Sequence, residues 1–338
     1  ISIVNNTTTA PVTPPVTGPT LVTPAGGCPT IEDSAGLADR GTITGPTGTY
    51  RNCELPARIT RSTTLNKVAG LLYSLGGRVD VGVDNGATAK TGEPSVTLTI
   101  NPGVVVFGST GVSWLHVNRG NKISAVGSAT QPIIFTSRDN VLGLASDTSQ
   151  GQWGGVVLMG RAPTTDCAVG TVAANSCERN TEGAADLARF GGTNSADNSG
   201  RISFAQIRYS GFVLGANSEL QALTLEGVGS GTVLNNIQSH NSSDDGAEFF
   251  GGVVNMRYYV ATGADDDSLD VDTGSQTNVQ YALFLPRSGK GDAIFEIDSN
   301  GQEADTPRTK LHVSNFLAIQ PQTSPDNESN AQAASLFR

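Results

Sequence analysis

The sequence lacks long hydrophobic runs and any sustained helical periodicity. Its longest apolar stretches, such as Gly103–Phe107 and Gly155–Met159, have the length of a β-strand and fall well short of the ~20 residues of a membrane-spanning helix. No window of a dozen residues repeats apolar side chains at the spacing of an amphipathic helix. The 41 glycines and the frequent Ser, Thr, Asn and Asp residues instead favour short strands joined by many turns. We therefore expect an all-β fold with no transmembrane segment.

Basic residues are also scarce. The chain has 21 Lys and Arg against 31 Asp and Glu, a net charge of −10. The stretch from Asp244 to Asp305 alone holds 13 acidic and 3 basic residues, so it accounts for the entire excess. Nucleic acid is not expected as a partner, because phosphate binding requires a basic face.

Cysteine is rare, and its spacing excludes common metal and redox motifs. The four cysteines form no Cys-x-x-Cys pair, which argues against a zinc ribbon or a thioredoxin-type site. Each lies in a segment rich in Gly, Pro, Thr or Asn. The simplest pairing is sequential, Cys28 with Cys53 and Cys167 with Cys177, although four cysteines allow three connectivities. Two disulfides would place the protein outside the reducing cytosol, whereas four reduced thiols are the alternative.

Familiar catalytic signatures are missing. The sequence has no Gly-x-Ser-x-Gly, P-loop or dinucleotide-binding pattern. Its three histidines, His116, His240 and His312, are too dispersed to define a metal triad. His116 alternates with apolar neighbours, so we expect it to point outward in an unremarkable role. His240 precedes an acidic turn and is a candidate ligand or acid–base group.

The chain divides into three predicted regions. Residues 1–26 form a Thr- and Pro-rich tail that we expect to be extended and mobile. Residues 27–65 form an N-terminal cap, and residues 66–338 form a series of short strands with a loop insertion at about 139–200. The last strand-like segments are not followed by a polar cap. We expect the natural chain to continue beyond residue 338, or a partner to cover this end.

Several sequence segments resemble those of a known protein family. They are Leu98–Phe107 (Leu-Thr-Ile-Asn-Pro-Gly-Val-Val-Val-Phe), Gly151–Pro163, Ile207–Phe212, His240–Gly252 and Thr262–Asp270. From about Cys53 to its end, the sequence resembles Gram-negative outer-membrane or secreted β-helix proteins, often described as uncharacterised lipoproteins. The resemblance implies a right-handed, single-stranded parallel β-helix with projecting loops. It also implies that the protein is extracellular or lies on the outer-membrane surface, where it would be attached peripherally or by a lipid anchor.

A repeat supports this fold. Glu248, Asp270 and Glu296 end similar motifs and are 22 and 26 positions apart, and Asp272 and Asp298 repeat the spacing of 26. A period in this range corresponds to about one coil of a β-helix. Such coils bury a core only by stacking on one another.

An upstream segment, Ile202–Tyr209, continues the series of coils less strictly. Side chains alternate between the two faces of a strand, so this pattern predicts that Phe204 and Ile207, or their neighbours, point into the coil. Leu220–Leu225 reads as the next strand of the same kind.

Stacked coils would align carboxylates on the outer face. We expect Glu248, Asp270 and Glu296 to form an outward ladder, with Asp272 and Asp298 beginning a second. At a strand spacing of ~4.8 Å these groups repel one another unless a cation, raised pKa values or solvent offsets the repulsion. Calcium is the natural cation, because it prefers several oxygen ligands; a solvated acidic face is the alternative. The candidate ligands are Asp244, Asp245, Glu248, Asp265, Asp266, Asp267, Asp270, Asp272, Glu296 and Asp298.

These features lead to three functional hypotheses. The first is a non-enzymatic surface module that binds calcium, a surface glycan or another surface protein. The second is a calcium-dependent polysaccharide lyase, with Arg257 or Arg287 as base, or a glycoside hydrolase. Asn241–Gly246 resembles an acidic motif of β-helical pectin-degrading hydrolases, but their Gly-His-Gly and Arg-Ile-Lys signatures are missing. The third is a self-associating filament or surface-layer subunit whose open ends pair.

Overall fold

The structure is a computed structural model that describes residues 20–215, 218–299, 301, 304–319 and 335–337. Most of the predicted tail lies outside the described residues. Those residues form 26 strands and one five-residue helix, α1 (Arg138–Leu142). In the described part of the chain no helix is long and apolar enough to cross a membrane. The all-β prediction is confirmed.

The strands are short, as the many turn residues predict. In chain order they are β1 (Ala38–Gly45), β2 (Gly48–Glu54), β3 (Arg58–Ile59), β4 (Thr63–Leu65), β5 (Leu71–Leu75), β6 (Arg78–Val81), β7 (Thr97–Ile100), β8 (Val105–Gly108), β9 (Trp114–Val117), β10 (Lys122–Val126), β11 (Ile133–Ser137), β12 (Gly155–Met159), β13 (Arg179–Asn180), β14 (Arg189–Phe190), β15 (Gly200–Arg208), β16 (Val213–Gly215), β17 (Ser218–Glu219), β18 (Leu223–Glu226), β19 (Val233–His240), β20 (Ala247–Phe250), β21 (Val253–Thr262), β22 (Leu269–Asp272), β23 (Gln276–Leu285), β24 (Ala293–Ile297), β25 (Lys310–Ala318) and β26 (Ser335–Phe337).

Two long sheets contain most of these strands. The first has thirteen strands and includes the path β1-β2-β5-β8-β11-β15-β19-β21-β23-β25, with β4, β7 and β10 beside it. The second has nine strands in the order β26-β24-β22-β20-β18-β12-β9-β6-β3. Apart from the β1–β2 hairpin, the pairs within both sheets are parallel. The chain therefore winds from one sheet to the other in stacked coils, and the predicted parallel β-helix is confirmed.

The larger sheet bends, so each coil has three sides. Strand β15 pairs with β10 through its first half and with β11 through its second half. Phe204 is the residue at the bend and is left out of the pairing. Of the predicted inward residues, Ile207 is fully buried, whereas at Phe204 it is the neighbours Ser203 and Ala205 that are buried and Phe204 itself is half-buried on the outer side. A single residue in the left-handed region interrupts the alternation of the strand there.

The core runs along the axis between the sheets. Inward-facing side chains of neighbouring coils stack in columns, such as Val156, Leu223, Ala247 and Leu269 on the nine-stranded sheet. Each of these four is completely buried. Apolar burial of this kind contributes about 25 cal/mol per Å2 removed from water, and it accrues only when coils stack.

The predicted disulfides are present, and the predicted insertion differs from expectation. Cys28 is bonded to Cys53 and Cys167 to Cys177. Strand β12 lies inside the stretch expected as an insertion at 139–200, yet it pairs with β9 and β18 as an ordinary coil strand. The following segment does not simply project, because Ala188 and Phe190 pack over the outer face of the nine-stranded sheet. We call residues 163–190 the covering layer; it lies on the same face of the nine-stranded sheet as Glu226 and Phe250.

Candidate functional site

The acidic residues lie in three successive strands of the nine-stranded sheet and in the turns before them. Each of β20, β22 and β24 follows an acidic turn, and the parallel register places Glu248 beside Asp270 and Asp270 beside Glu296. The predicted column of three carboxylates is therefore confirmed. It forms because the parallel register holds the three residues at equivalent points of the coil, while most of the extra residues of the third repeat are absorbed in the turn before β24.

Two clusters of carboxylates flank this column. Asp244, Asp245 and Glu248 form the first, with one ligand atom from each residue within 4.8 Å of the others. Asp266, Asp267 and Asp292 form the second with the same spread. Two oxygens on opposite sides of a calcium ion are separated by about twice its bond length of ~2.4 Å, so both clusters have dimensions suitable for this ion.

Backbone amides orient the carboxylates along the axis. The Asp267 amide donates a hydrogen bond of 2.9 Å to Oδ1 of Asp245 in the preceding coil. The Ala293 amide donates one of 2.5 Å to Oδ1 of Asp267. The second oxygen of Asp267 and Oδ1 of Asp270 are buried, and no hydrogen-bond partner for either atom lies in the described part of the chain. The side chain of Asp267 also lies within hydrogen-bonding reach of Glu296, and that of Asp270 within reach of Glu248, so each pair of carboxyl groups can share either a proton or a cation.

The column points away from the core, as predicted, but it is not open to solvent. Glu248, Asp270 and Asp272 are each only 9% exposed. The covering layer lies over this side of the sheet, where the Phe190 and Phe250 ring centroids are 6.4 Å apart and the Thr165 amide donates to the Thr273 carbonyl. The alternative of a solvated acidic face therefore does not describe Glu248, Asp270 and Asp272, whereas Glu296 is partly exposed and Asp298 is exposed.

Burial and mutual repulsion raise the pKa values of these acids. Burial is the largest cause throughout, and neighbouring carboxylates add to it. The pKa values of Asp245, Glu248, Asp267 and Asp270 lie well above their ordinary range of about 4. Burial and nearby Glu219 raise the pKa of Asp244 to about 7. Without a cation, the clusters can relieve their charge by holding protons.

Three of the predicted ligands have other surroundings. Asp265 forms ion pairs with Lys290 at 2.9 Å and Arg287 at 3.4 Å, so its charge is already compensated. Asp272 accepts a hydrogen bond from the Thr273 amide, and burial raises its pKa to about 6. Asp298 accepts a hydrogen bond from the neighbouring Ser299 amide. Neither Asp272 nor Asp298 belongs to the two compact clusters.

The structure also adds acids that sequence reasoning missed. Asp292 completes the second cluster, and its position immediately before β24 was the available signal. Glu226 on β18 is fully buried, accepts a 2.6 Å hydrogen bond from Thr181, and has a pKa raised by burial to about 8. Its partner comes from the covering layer, which no local sequence pattern indicates.

His116 is the clearest departure from expectation. It is completely buried, and its Nδ1 lies 2.6 Å from Asp80, which Arg78 also contacts at 2.8 Å. Burial lowers the pKa of His116 to about 4, so the ring is neutral at pH 7. Arg78 also donates to the carbonyls of Asp186 and Leu187. This group fastens the covering layer to the coils, which is a structural role.

The other histidines and the two candidate arginines are dispersed. Nδ1 of His240 lies 2.8 Å from Oγ1 of Thr262, and His312 is exposed on β25. Arg257 is exposed on the bent thirteen-stranded sheet, whereas the acidic column is on the nine-stranded sheet. Arg287 contacts Asp265 and Gln150, beside the second cluster.

The stacked coils, the bent larger sheet and the acidic turns define a protein of the parallel β-helix class. A family described as the pectate-lyase like beta helix domain matches residues 73–336, so the chain belongs to this family. No curated protein and no solved structure matches it significantly. The family and the two disulfides together indicate an extracellular protein.

Proposed function

We propose that this protein is a non-enzymatic extracellular binding module that holds calcium between successive coils. The observation that carries the proposal is the pair of three-carboxylate clusters, each with a buried central aspartate, joined by the Glu248–Asp270–Glu296 column. Asp267 and Asp270 each have one buried oxygen for which the described residues supply no donor. A hard divalent cation offers such oxygens the partner they lack and offsets the repulsion between coils.

Thermal unfolding of the metal-free protein tests this proposal. A cation that binds only the folded state raises stability by about 2.7 kcal/mol at a concentration one hundred times its dissociation constant. We expect millimolar calcium at pH 8 to raise the melting temperature, with a smaller effect of magnesium because magnesium demands a tighter octahedral site. An unchanged melting temperature would contradict a calcium site in either cluster.

The enzymatic alternative needs a base near bound substrate. Arg257 lies on a different side of the coil from the acidic column, and Arg287 is engaged by Asp265. Both placements favour binding over lyase chemistry. Incubation with pectate, alginate and other acidic polysaccharides should yield no new unsaturated or reducing ends. If the wild type produced such ends and Arg287→Ala or Arg257→Ala did not, the lyase hypothesis would replace our proposal.

The proposed location is the outer-membrane surface of a Gram-negative bacterium, with peripheral or lipid anchoring. The proposed partner is a surface glycan or another surface protein, and self-association through coil ends is the further possibility. Fractionation of the native host tests the location: the protein should sediment with outer membranes. Recovery from the cytosol would contradict it.

A further inference from the structure

A second feature lies on the bend of the thirteen-stranded sheet, whereas the acidic column lies on the nine-stranded sheet. Five successive coils place one residue at this bend: Phe204, Asn236, Tyr258, Tyr281 and Asn315. We call them the bend column. All five have φ between +49° and +61°, in the left-handed region. The register places each directly above the previous one.

The identities in this column are unusual for their backbone conformation. Asparagine adopts the left-handed region several times more readily than most residues, and bulky side chains are rare there. Asn236 and Asn315 demonstrate that asparagine can form this bend. Phe204, Tyr258 and Tyr281 therefore carry a conformational cost that the fold does not require. Residues kept in unfavourable conformations concentrate at functional sites.

The aromatic rings also face solvent. Tyr258 is 50% and Tyr281 44% exposed, and their rings stack with centroids 5.1 Å apart and an angle of 9° between planes. Phe204 is half-buried two coils away from Tyr258. The smaller Asn236 lies between them, so the column has a gap one coil high between two aromatic side chains.

A groove follows the bend column and has a volume of about 520 Å3. One end is formed by Ser128, Ala129 and Pro132, because the corner of the preceding coil is a longer turn. Gln206 and Gln238 line one side. The side-chain amide nitrogen of Gln206 donates a 3.1 Å hydrogen bond to the side-chain oxygen of Gln238. The described lining residues carry no charge. Aromatic rings and amides thus alternate in a concave, neutral surface.

We propose that this groove binds a neutral glycan chain. The nonpolar faces of sugar rings pack on aromatic rings, and their hydroxyl groups hydrogen-bond to amide side chains. Coils repeat every ~4.8 Å, close to the length of one pyranose unit, so an extended chain can present one sugar to each coil. The gap above Asn236 accepts one ring between Phe204 and Tyr258. An uncharged lining in a protein of net charge −10 disfavours acidic polysaccharides.

This inference rests on the binding role proposed above but not on the calcium site. Affinity electrophoresis through gels that contain neutral glucans, mannans, xylans or galactans tests it, with polygalacturonate as the acidic comparison. We expect at least one neutral polysaccharide to retard the full chain. Tyr258→Asn and Tyr281→Asn should each weaken binding about tenfold, since each loses an aromatic contact. Because asparagine suits the left-handed region, their melting temperatures should be unchanged or higher.

Leu144→Asn provides the matched control, since Leu144 is 69% exposed and lies outside the groove. It should bind as the wild type does. Retardation by none of the neutral polysaccharides, or equal retardation of a Tyr258→Asn/Tyr281→Asn double variant, would overturn the proposal. The proposal would also be overturned if the protein bound no glycan but self-associated, and if both tyrosine variants abolished that self-association. The groove would then be an interface between copies of the chain. The melting temperature of the tyrosine variants should still rise with calcium. This result would show that a loss of glycan binding does not come from failure of the cation site.

Discussion

At the residue scale, the surroundings of a carboxyl group matter more than its presence in an acidic stretch. Asp265 and Asp267 are two positions apart, yet Asp265 is paired with Lys290 and Arg287 while Asp267 faces other acids. The difference follows from the turn, which directs the two side chains to different neighbours. Charge counts therefore locate the candidate site, and only the packing identifies its ligands.

Asp270 provides the residue-scale test. Asp270→Asn keeps the shape of the side chain and removes a buried charge between Glu248 and Glu296. In EDTA at pH 8, we expect the variant to be more stable than wild type, because burial and the neighbouring Glu296 raise the pKa of Asp270 and make its ionisation unfavourable in the folded state. Its melting temperature should respond much less to calcium.

Asp186→Asn is the matched control, since Asp186 is exposed and only its backbone carbonyl holds Arg78. It should leave both stability and the calcium response unchanged. The role assigned to Asp270 would be contradicted if Asp270→Asn were less stable than wild type in EDTA and still gained as much stability from calcium as the wild type does. Chemical denaturation in urea, with and without calcium, measures both quantities.

At the element scale, the sequence predicts repeated strands better than the segments between them. The spacing of Glu248, Asp270 and Glu296 predicts their column because one coil is one period. The burial of that column was not predictable in this way. The covering layer packs on the same outer face through contacts to β18 and β20 that join residues far apart in sequence. The same reason explains why burial of His116 beneath this layer was missed.

Phe190 tests the covering layer as an element. Its side chain is 1% exposed and packs with Phe250 on the outer face of the nine-stranded sheet. Phe190→Ala should cost about 3–5 kcal/mol in the free energy of unfolding, the usual range for a buried phenylalanine. Leu187→Ala, three residues away and 70% exposed, should cost less than ~0.5 kcal/mol. Equal effects in urea denaturation would show that the layer does not pack as described.

At the scale of the whole molecule, the raised pKa values give a characteristic pH dependence. Burial raises the pKa values of Asp272, Asp244 and Glu226 to about 6, 7 and 8. In the unfolded chain these groups titrate near 4. The folded protein therefore binds more protons than the unfolded chain across this interval. Its metal-free stability should fall as pH rises from about 4 through 8.

His116 opposes this trend in part. Burial lowers its pKa from about 6.5 to about 4, so its contribution is lost as pH falls through that interval. The acids outnumber it, and we expect a net loss of stability between pH 6 and pH 8 when melting is followed in EDTA. Calcium should raise the melting temperature more at pH 8 than at pH 5, because binding requires ionised carboxylates. Rising metal-free stability over pH 6–8 would be inconsistent with buried, protonated clusters.

The most direct test of the central claim is a crystal structure at pH 8 in millimolar calcium, with anomalous difference maps. We predict a peak among Asp244, Asp245 and Glu248 or among Asp266, Asp267 and Asp292, with carboxylate oxygens 2.3–2.6 Å away, as is usual for calcium. A map that shows only water in both clusters, with the carboxyl groups hydrogen-bonded to one another, would contradict it.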